Sequence, residues 1–258
     1  MTPTELRRRL RARLAAGKIV VAPGIYDSYG ARFVAEAGFE AVYMTGNGVS
    51  ASLLGRPDVG LIDLTLLSQH AHRAAAAVDI PLICDADTGY GNVVNVKRTV
   101  EEFEAAGVAA IHIEDQVSPK RCGQLPGARP VIEMAEAVGK IEAAVAAKRD
   151  PEFIIIARTD SAESRGLDEA IKRAQAFVKA GASEILVHPR AAVVAADFAG
   201  TGLEFADRRA RTAGAAEEGA GRYAVLRHAC RLEGRRPRRG LPRLPDQLRR
   251  HPQQHQGD

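Results

Sequence analysis

Two carboxylates set two residues apart at the end of an apolar run are the most chemically suggestive feature of this 258-residue chain. They lie in Cys84-Asp85-Ala86-Asp87-Thr88-Gly89-Tyr90-Gly91. Side chains two apart on a strand point to the same side, so Asp85 and Asp87 would crowd one strand end. Two anions held there repel unless a cation lies between them, and hard oxygen ligands suit Mg²⁺ or Mn²⁺. A helix-capping Asp followed by a glycine turn is the plain structural alternative, and for this motif alone both readings stand. The next apolar run repeats the spacing. In Ile111-His112-Ile113-Glu114-Asp115, His112 and Glu114 share a face. Acids ending adjacent strands are costly without a shared counter-charge, which favours the metal reading.

A third run, Ile156-Ala157-Arg158-Thr159-Asp160, brings an arginine to the same mouth. It could grip a carboxylate or phosphate with two hydrogen bonds, or pair with one of the acids. Between the second and third runs lies Pro119-Lys120-Arg121-Cys122-Gly123-Gln124. A thiol flanked by cations in a polar loop suits proton transfer or nucleophilic attack. Cys84 points opposite to Asp85 and reads as a small buried hydrophobe.

These residues need a scaffold that collects strand ends. Apolar runs at Ile19–Pro23, Ala41–Met44, Leu82–Asp85, Ala110–Glu114, Phe153–Arg158 and Glu184–His188 read as strands. Helical patterns lie near Leu6–Leu14, Asp27–Ala37, Ile62–Ala77, Asn92–Ala106, Val131–Ala147 and Asp168–Ala180. Gly38, Gly107 and Gly181 each stand where a helix should end. Strand alternating with helix predicts a parallel sheet with βαβ crossovers, apolar on both faces. The fold class expected is an α/β (β/α)₈ barrel of TIM type, incomplete, with six βα units recognisable. Active sites in such barrels form at the carboxyl ends of the strands, where these motifs fall.

The organisation predicted is a catalytic body over residues 1–190 and an arginine-rich tail over 191–258. The body carries 23 Lys+Arg against 24 Asp+Glu, whereas the tail carries 13 Arg, no Lys and 8 acids. The basic balance therefore belongs to the tail and says nothing about the substrate. Beyond Arg190 there is no Ile, Lys, Asn or Met. The tail reads either as a basic segment without a core or, the favoured reading, as translation out of frame in a GC-rich gene. No apolar run reaches the ~18 residues of a membrane span, and the amino-terminal stretch lacks a signal-peptide core. Three scattered cysteines do not make a disulfide framework, so a cytoplasmic location with reduced thiols is expected.

Taken in order, Y-M-T-G-N-G-V-S (Tyr43 to Ser50), Asp58 in G-R-P-D, D-A-D-T-G-Y-G-N, H-I-E-D-Q, P-K-R-C-G and I-A-R-T-D resemble the isocitrate lyase/phosphoenolpyruvate mutase superfamily over about residues 4–190. The resemblance implies Mg²⁺ held by Asp85, with Asp87, Glu114 and Asp58 contributing directly or through water. It implies a substrate carboxylate bound around Thr45, Gly46 and Asn47, with Arg158, Gly123 and His188 completing the pocket. K-R-C-G is similar to the loop of the carbon–carbon lyases and implies that Cys122, beside Lys120, protonates the departing carbanion, with Tyr43 near the 2-oxygen. The activity implied is cleavage of a 2-hydroxy di- or tricarboxylate to pyruvate or glyoxylate plus a dicarboxylate. Carboxyphosphonoenolpyruvate phosphonomutases share K-R-C-G and M-T-G-x-G-x-S-A-S, which makes phosphonomutase or an oxaloacetate-type decarboxylase the alternative. Gln124 replaces the usual His, and His188 stands where the lyases carry Glu. An inactive product whose barrel cannot close is the reading from a different class. A small 2-hydroxy or 2-oxo acid is the expected partner, with neither membrane nor nucleic acid, and the resemblance suggests a homo-tetramer.

Overall fold

The computed structural model describes residues 1–16, 19–123, 125, 127 and 129–188, together with the backbone of two short strands farther on. The expectations for Gln124 and for most of 191–258 lie outside the described residues.

The first helix, α1 (Pro3–Ala15), starts where the sequence provides a start: Thr2 and Glu5 form a reciprocal capping box, and Pro3 opens the helix. It buries Leu6, Arg7 and Leu10. Six parallel strands with helices between them then follow. The strands β1 (Gly24–Ile25), β2 (Val42–Met44), β3 (Leu82–Asp85), β4 (Ala110–Glu114), β5 (Ile154–Thr159) and β6 (Glu184–Val187) lie side by side in chain order, every neighbouring pair parallel. Helices α2 (Ser28–Glu36), α4 (Leu64–Ala76), α5 (Val93–Ala105), α6 (Met134–Ala147) and α8 (Leu167–Lys179) supply the crossovers. Asp27, Asp63 and Asn92 cap α2, α4 and α5 with their side chains. Gly38, Gly107 and Gly181 all adopt positive φ just past a helix, as their positions predict.

Three elements depart from the expected pattern. The first strand is Gly24–Ile25 and not Ile19–Pro23; Val20 and Ala22 pack as extended chain on the inner cluster without pairing as a strand. The run after β2, expected only as a binding segment, forms α3 (Gly46–Leu54), because Thr45 caps it and Val49 is buried beneath it. A one-turn helix, α7 (Ser161–Ser164), follows β5.

The sheet is covered on one face by the helices. Ile111, Ile113, Ile155, Ala157, Ile185 and Val187 pack there against Phe103, Ile141, Phe153 and Phe177. The other face lines the interior, where Leu10 of α1 meets Ala110, Ile154, Ile156 and Leu186 and seals the end opposite the motifs. Leu10→Ala in this contact would cost about 2–5 kcal/mol. Two further strands, β7 (Leu203–Phe205) and β8 (Ala224–His228), continue the sheet beyond β6 in the order β6-β8-β7, with β8 antiparallel to β6. That direction differs from the all-parallel arrangement of a (β/α)₈ barrel, and β1 pairs with β2 alone among the described residues. No helix among the described residues is long and apolar enough to cross a membrane.

Candidate active site

The carboxyl ends of β2 to β6 bring the chemically suggestive residues together. Asp85 and His112 are direct partners in the β3–β4 register, and Glu114 and Arg158 are partners in β4–β5. Side chains on adjacent strands at the same level share one small volume, which the chain fills with charge. Asp58, Asp85, Asp87, Glu114, Lys120 and Arg158 are all buried. The loop after β3 is bent to fit: Asp87 and Tyr90 adopt φ of 49° and 59°, a conformation that non-glycine residues enter only under constraint.

The Lys120 ammonium sits 2.5 Å from Asp58 Oδ2 and 2.6 Å from Asp87 Oδ1. Arg158 lies 3.0 Å from Glu114 Oε2 and donates from Nε and Nη2 to the two oxygens of Asp160. Asp85 accepts the Asp87 N–H at 3.0 Å. Four acids (Asp58, Asp85, Asp87 and Glu114) therefore share two cations, Lys120 and Arg158. The titration behaviour follows from this imbalance. Burial pushes Asp87 up to about 7, against the pull of Lys120 and with the help of Asp85 and Asp58. Burial likewise raises Glu114 well above the ordinary carboxylate range, opposed by Arg158, and raises Asp58, opposed by Lys120. Burial also acts to raise Asp85, but His112, Lys120, Arg158 and the Asp87 N–H outweigh it and hold this carboxyl below its usual range. Burial acts to lower Lys120, and the surrounding carboxylates overcome that and keep the amine protonated.

A hard divalent cation suits this donor set. Among the described residues Glu114 Oε1 is a buried carboxylate oxygen with no hydrogen-bond donor, and the buried Asp87 Oδ1 has the Lys120 ammonium as its counter-charge. A Cβ placed on Gly46 would come 3.1 Å from Asp85 Oδ2 and 3.5 Å from Asp87 Oδ1, so both carboxylates face the start of α3. Among the described residues no three His, Cys, Asp or Glu side chains already converge as a metal cage. The reason is visible: the Lys120 ammonium stands between two of them.

The K-R-C-G loop is docked over these acids. Asp58 receives it twice, through its carboxylate to Lys120 and through its carbonyl, which accepts the Cys122 N–H at 3.0 Å. Cys122 Sγ lies 3.6 Å from Asn47 Oδ1, at the start of α3. Lys120, expected to flank the thiol, spends its charge on Asp58 and Asp87. Thr45 accepts the Gly48 N–H through its hydroxyl at 3.2 Å, so this group already serves as the helix cap. Tyr43 reaches across β3 to His112, with its hydroxyl 2.6 Å from Nε2 and the rings stacked 5.6 Å apart. Burial holds the His112 imidazole down to about 4.

Sequence reasoning placed Asp85, Asp87, Glu114, Arg158, Asp58, Lys120, Cys122, Tyr43, Thr45, Gly46 and Asn47 in one neighbourhood, and they share one. His188 and Gly123 lie on its β5–β6 side, around a guanidinium that sequence reasoning missed. Arg129, fully buried, lies 2.6 Å from Asp160 Oδ1, 3.0 Å from Glu163 Oε2 and 3.0 Å from His188 Nδ1. His112 was noted for its face but not assigned to the site, although its alternation with Glu114 was a usable signal. Arg129 carried no local signal, since its partners lie 31 to 59 residues away in the chain.

The profile of the family described as phosphoenolpyruvate phosphomutase matches residues 10–199. The chain is 50% identical over 179 residues to 2,3-dimethylmalate lyase of Eubacterium barkeri, covering 69% of this chain and 62% of that protein. A crystal structure of 2,3-dimethylmalate lyase superposes with a TM-score of 0.67 at 40% identity, over 74% of this chain and 64% of that one. A phosphonopyruvate hydrolase solved with oxalate and Mg²⁺ superposes at 0.66 and 36% identity, again over 74% and 64%. The chain thus spans under two thirds of the length of the relatives it matches. With the parallel α/β sheet, the motifs in order and these likenesses together, the chain belongs to the phosphoenolpyruvate mutase/isocitrate lyase superfamily.

Proposed function

We propose that this protein is a divalent-metal-dependent carbon–carbon lyase that cleaves a 2-hydroxy di- or tricarboxylate into a 2-oxo acid and a dicarboxylate or related acid. One observation carries the reading: four buried acids face two cations beneath a loop that sets a thiol at the mouth of the same site. Arg158 also serves Asp160, so negative charge exceeds positive charge in the site, an excess that Mg²⁺ or Mn²⁺ would offset. The named activities of the relatives point the same way.

Asp85, with Asp87, Glu114 and Asp58 directly or through water, would hold the cation, whose Lewis acidity would stabilise negative charge developing on the 2-oxo acid oxygens. The N–H groups at Gly46 and Asn47 open α3 and would receive the substrate's 1-carboxylate, favoured by the helix dipole. Arg158 would grip a second carboxylate, with Gly123 and His188 beside it. In cleavage the carbon–carbon bond breaks, and its electron pair stays on the departing carbon. Cys122 would give its thiol proton to that carbon. The substrate's hydroxyl would pass its proton to a carboxylate of the site and become the carbonyl, with Tyr43 placed near that oxygen by its bond to His112. Lys120 would keep the loop down while this happens and exclude water.

A direct test is incubation with 2-methylisocitrate or 2,3-dimethylmalate and Mg²⁺, following release of a 2-oxo acid. Asp85→Ala should abolish release while leaving the far-ultraviolet dichroism unchanged, and full turnover after exhaustive chelation would exclude the metal. His188 and Arg129 beside Arg158 favour a second reading, rearrangement of a carboxyphosphonate. It would show as a new carbon–phosphorus resonance in ³¹P NMR.

A further inference from the structure

We propose that Lys140 of α6 is a positioning residue for the loop that carries Asp87: by donating to the Thr88 carbonyl it keeps that loop bent, so that the Asp87 carboxylate stands beside that of Asp85. Its consequence for a metal rests on the function proposed above; the hydrogen bond does not. Lys140 lies on the buried stripe of α6 with Ala137, Ile141 and Ala144, and is itself 4% exposed. Such a stripe calls for an apolar side chain. Burial lowers the pKa of the ammonium, with Glu136 one turn back on the same helix pulling the other way. Among the described residues Lys140 forms no ion pair, and its Nζ donates to the Thr88 carbonyl at 3.2 Å. A charge buried without a carboxylate partner weakens a fold unless its hydrogen bond supplies something that an apolar residue would not.

The carbonyls of the loop show what that is. Four in succession receive a donor. Ala86 accepts the Gly89 N–H at 3.0 Å, and Asp87 accepts the Glu114 N–H at 2.9 Å. Thr88 accepts Lys140, and Gly89 accepts the Thr99 hydroxyl of α5 at 3.1 Å. Over this stretch φ is 49° at Asp87, 81° at Gly89 and 59° at Tyr90. Asp87 and Tyr90 resist such values, so bonds from outside must hold them there. The donors to Ala86 and Asp87 come from the loop itself and from β4. Those to Thr88 and Gly89 come from the helices behind it. Thr99 has one hydroxyl proton and shares it with the Asn95 carbonyl at 2.9 Å. Lys140 is therefore the undivided tie between the helical layer and the residue that follows Asp87.

The test reads the loop and the metal separately, in the full chain. In the parent, the Lys140 ammonium protons should exchange with water about tenfold more slowly than those of the exposed Lys97 by ¹⁵N NMR; equal rates overturn the proposal whether or not a variant folds. Lys140→Met keeps the reach of the side chain and removes its donors. Its Gly89 amide should exchange about tenfold faster than the parent's, while the Ile155 amide in β5 keeps its rate. Mn²⁺ titration should show binding weakened about tenfold in this variant. Its Tm should change little, since loss of a buried charge offsets loss of the bond. Lys140→Arg restores a donor and should recover most of the Mn²⁺ affinity. A lysine that merely supports the fold predicts the reverse, a lower Tm with Mn²⁺ affinity unchanged, and that pair of results overturns the proposal. A Gly89 amide indifferent to Lys140→Met overturns it as well. If the parent takes up no Mn²⁺, the metal proposed above falls, and the Gly89 exchange still decides whether Lys140 holds the loop.

Discussion

The Lys120 ammonium lies 2.6 Å from Asp87 Oδ1, a carboxylate oxygen that accepts no other hydrogen bond among the described residues. The lysine thus occupies, with its own charge, part of the space that a divalent cation would share with Asp87 and Asp58.

Removing that ammonium should expose the charge imbalance. Lys120→Met leaves Asp58 and Asp87 buried without their partner, a change that costs about 3–5 kcal/mol when one member of a buried pair is lost. The variant should melt lower than the parent without metal, and Mg²⁺ should raise its Tm by more than it raises the parent's. Thermal melts with and without Mg²⁺ decide this; equal metal-induced shifts would show that the two cations do not compete.

Cys122→Ser should lower turnover by about 10²–10⁴-fold, the range for loss of a positioned general acid, with little change in KM. The loop should stay docked, because the Cys122 N–H to Asp58 bond does not involve the side chain. A serine variant with near-normal kcat on a cleaved substrate would rule out the acid role.

Gly89→Ala should be severely destabilising. The residue has φ of 81°, and a Cβ there would come 2.5 Å from Val96 Cγ2. Val96 is buried in α5, so the loop carrying Asp87 would have to move away from it. A chemical-denaturation midpoint close to the parent's would refute this, and an intact fold with weakened Mn²⁺ binding would locate the damage in the loop.

Acid sensitivity should follow the two buried imidazoles. His112 and His188 are each held at about 4 by burial, below the ordinary value of 6.5. Between those values an imidazole of the unfolded chain binds the proton and that of the folded chain does not, so the imidazole contribution to stability rises with pH across this window. It is fully present above about pH 6.5 and is lost as the pH falls toward about 4. Each histidine contributes on the order of 3 kcal/mol across that window. Asp87, Glu114 and Asp58, raised by burial, hold protons in the folded state over the same window and oppose this slope. The imidazole contribution is therefore read as a difference: between pH 4 and 7 the denaturation midpoint of His188→Gln should rise less, or fall more, with pH than the parent's.

The chain's local chemistry was enough to place most of the site. Asp87 lies past the end of β3 at φ 49°, so the bend of its loop and not alternation sets it near Asp85, but alternation by two in His112-Ile113-Glu114 and at Arg158 is a property of the extended backbone. It told which side chains share a face before any fold was known. The glycines at 38, 107 and 181 were readable for the same reason, since a helix end is a local event. The helix at Gly46–Leu54 was not readable. Its two early glycines oppose helix formation, and it exists because Thr45 caps it and its buried face packs on the strands. The partners of Lys120 and Arg129 were equally hidden. Lys120 meets Asp58 across 62 residues and Arg129 meets His188 across 59. A sequence states that these charges exist, but strand register and loop docking decide which of them meet, because Coulombic pairing depends on distance in space and not along the chain.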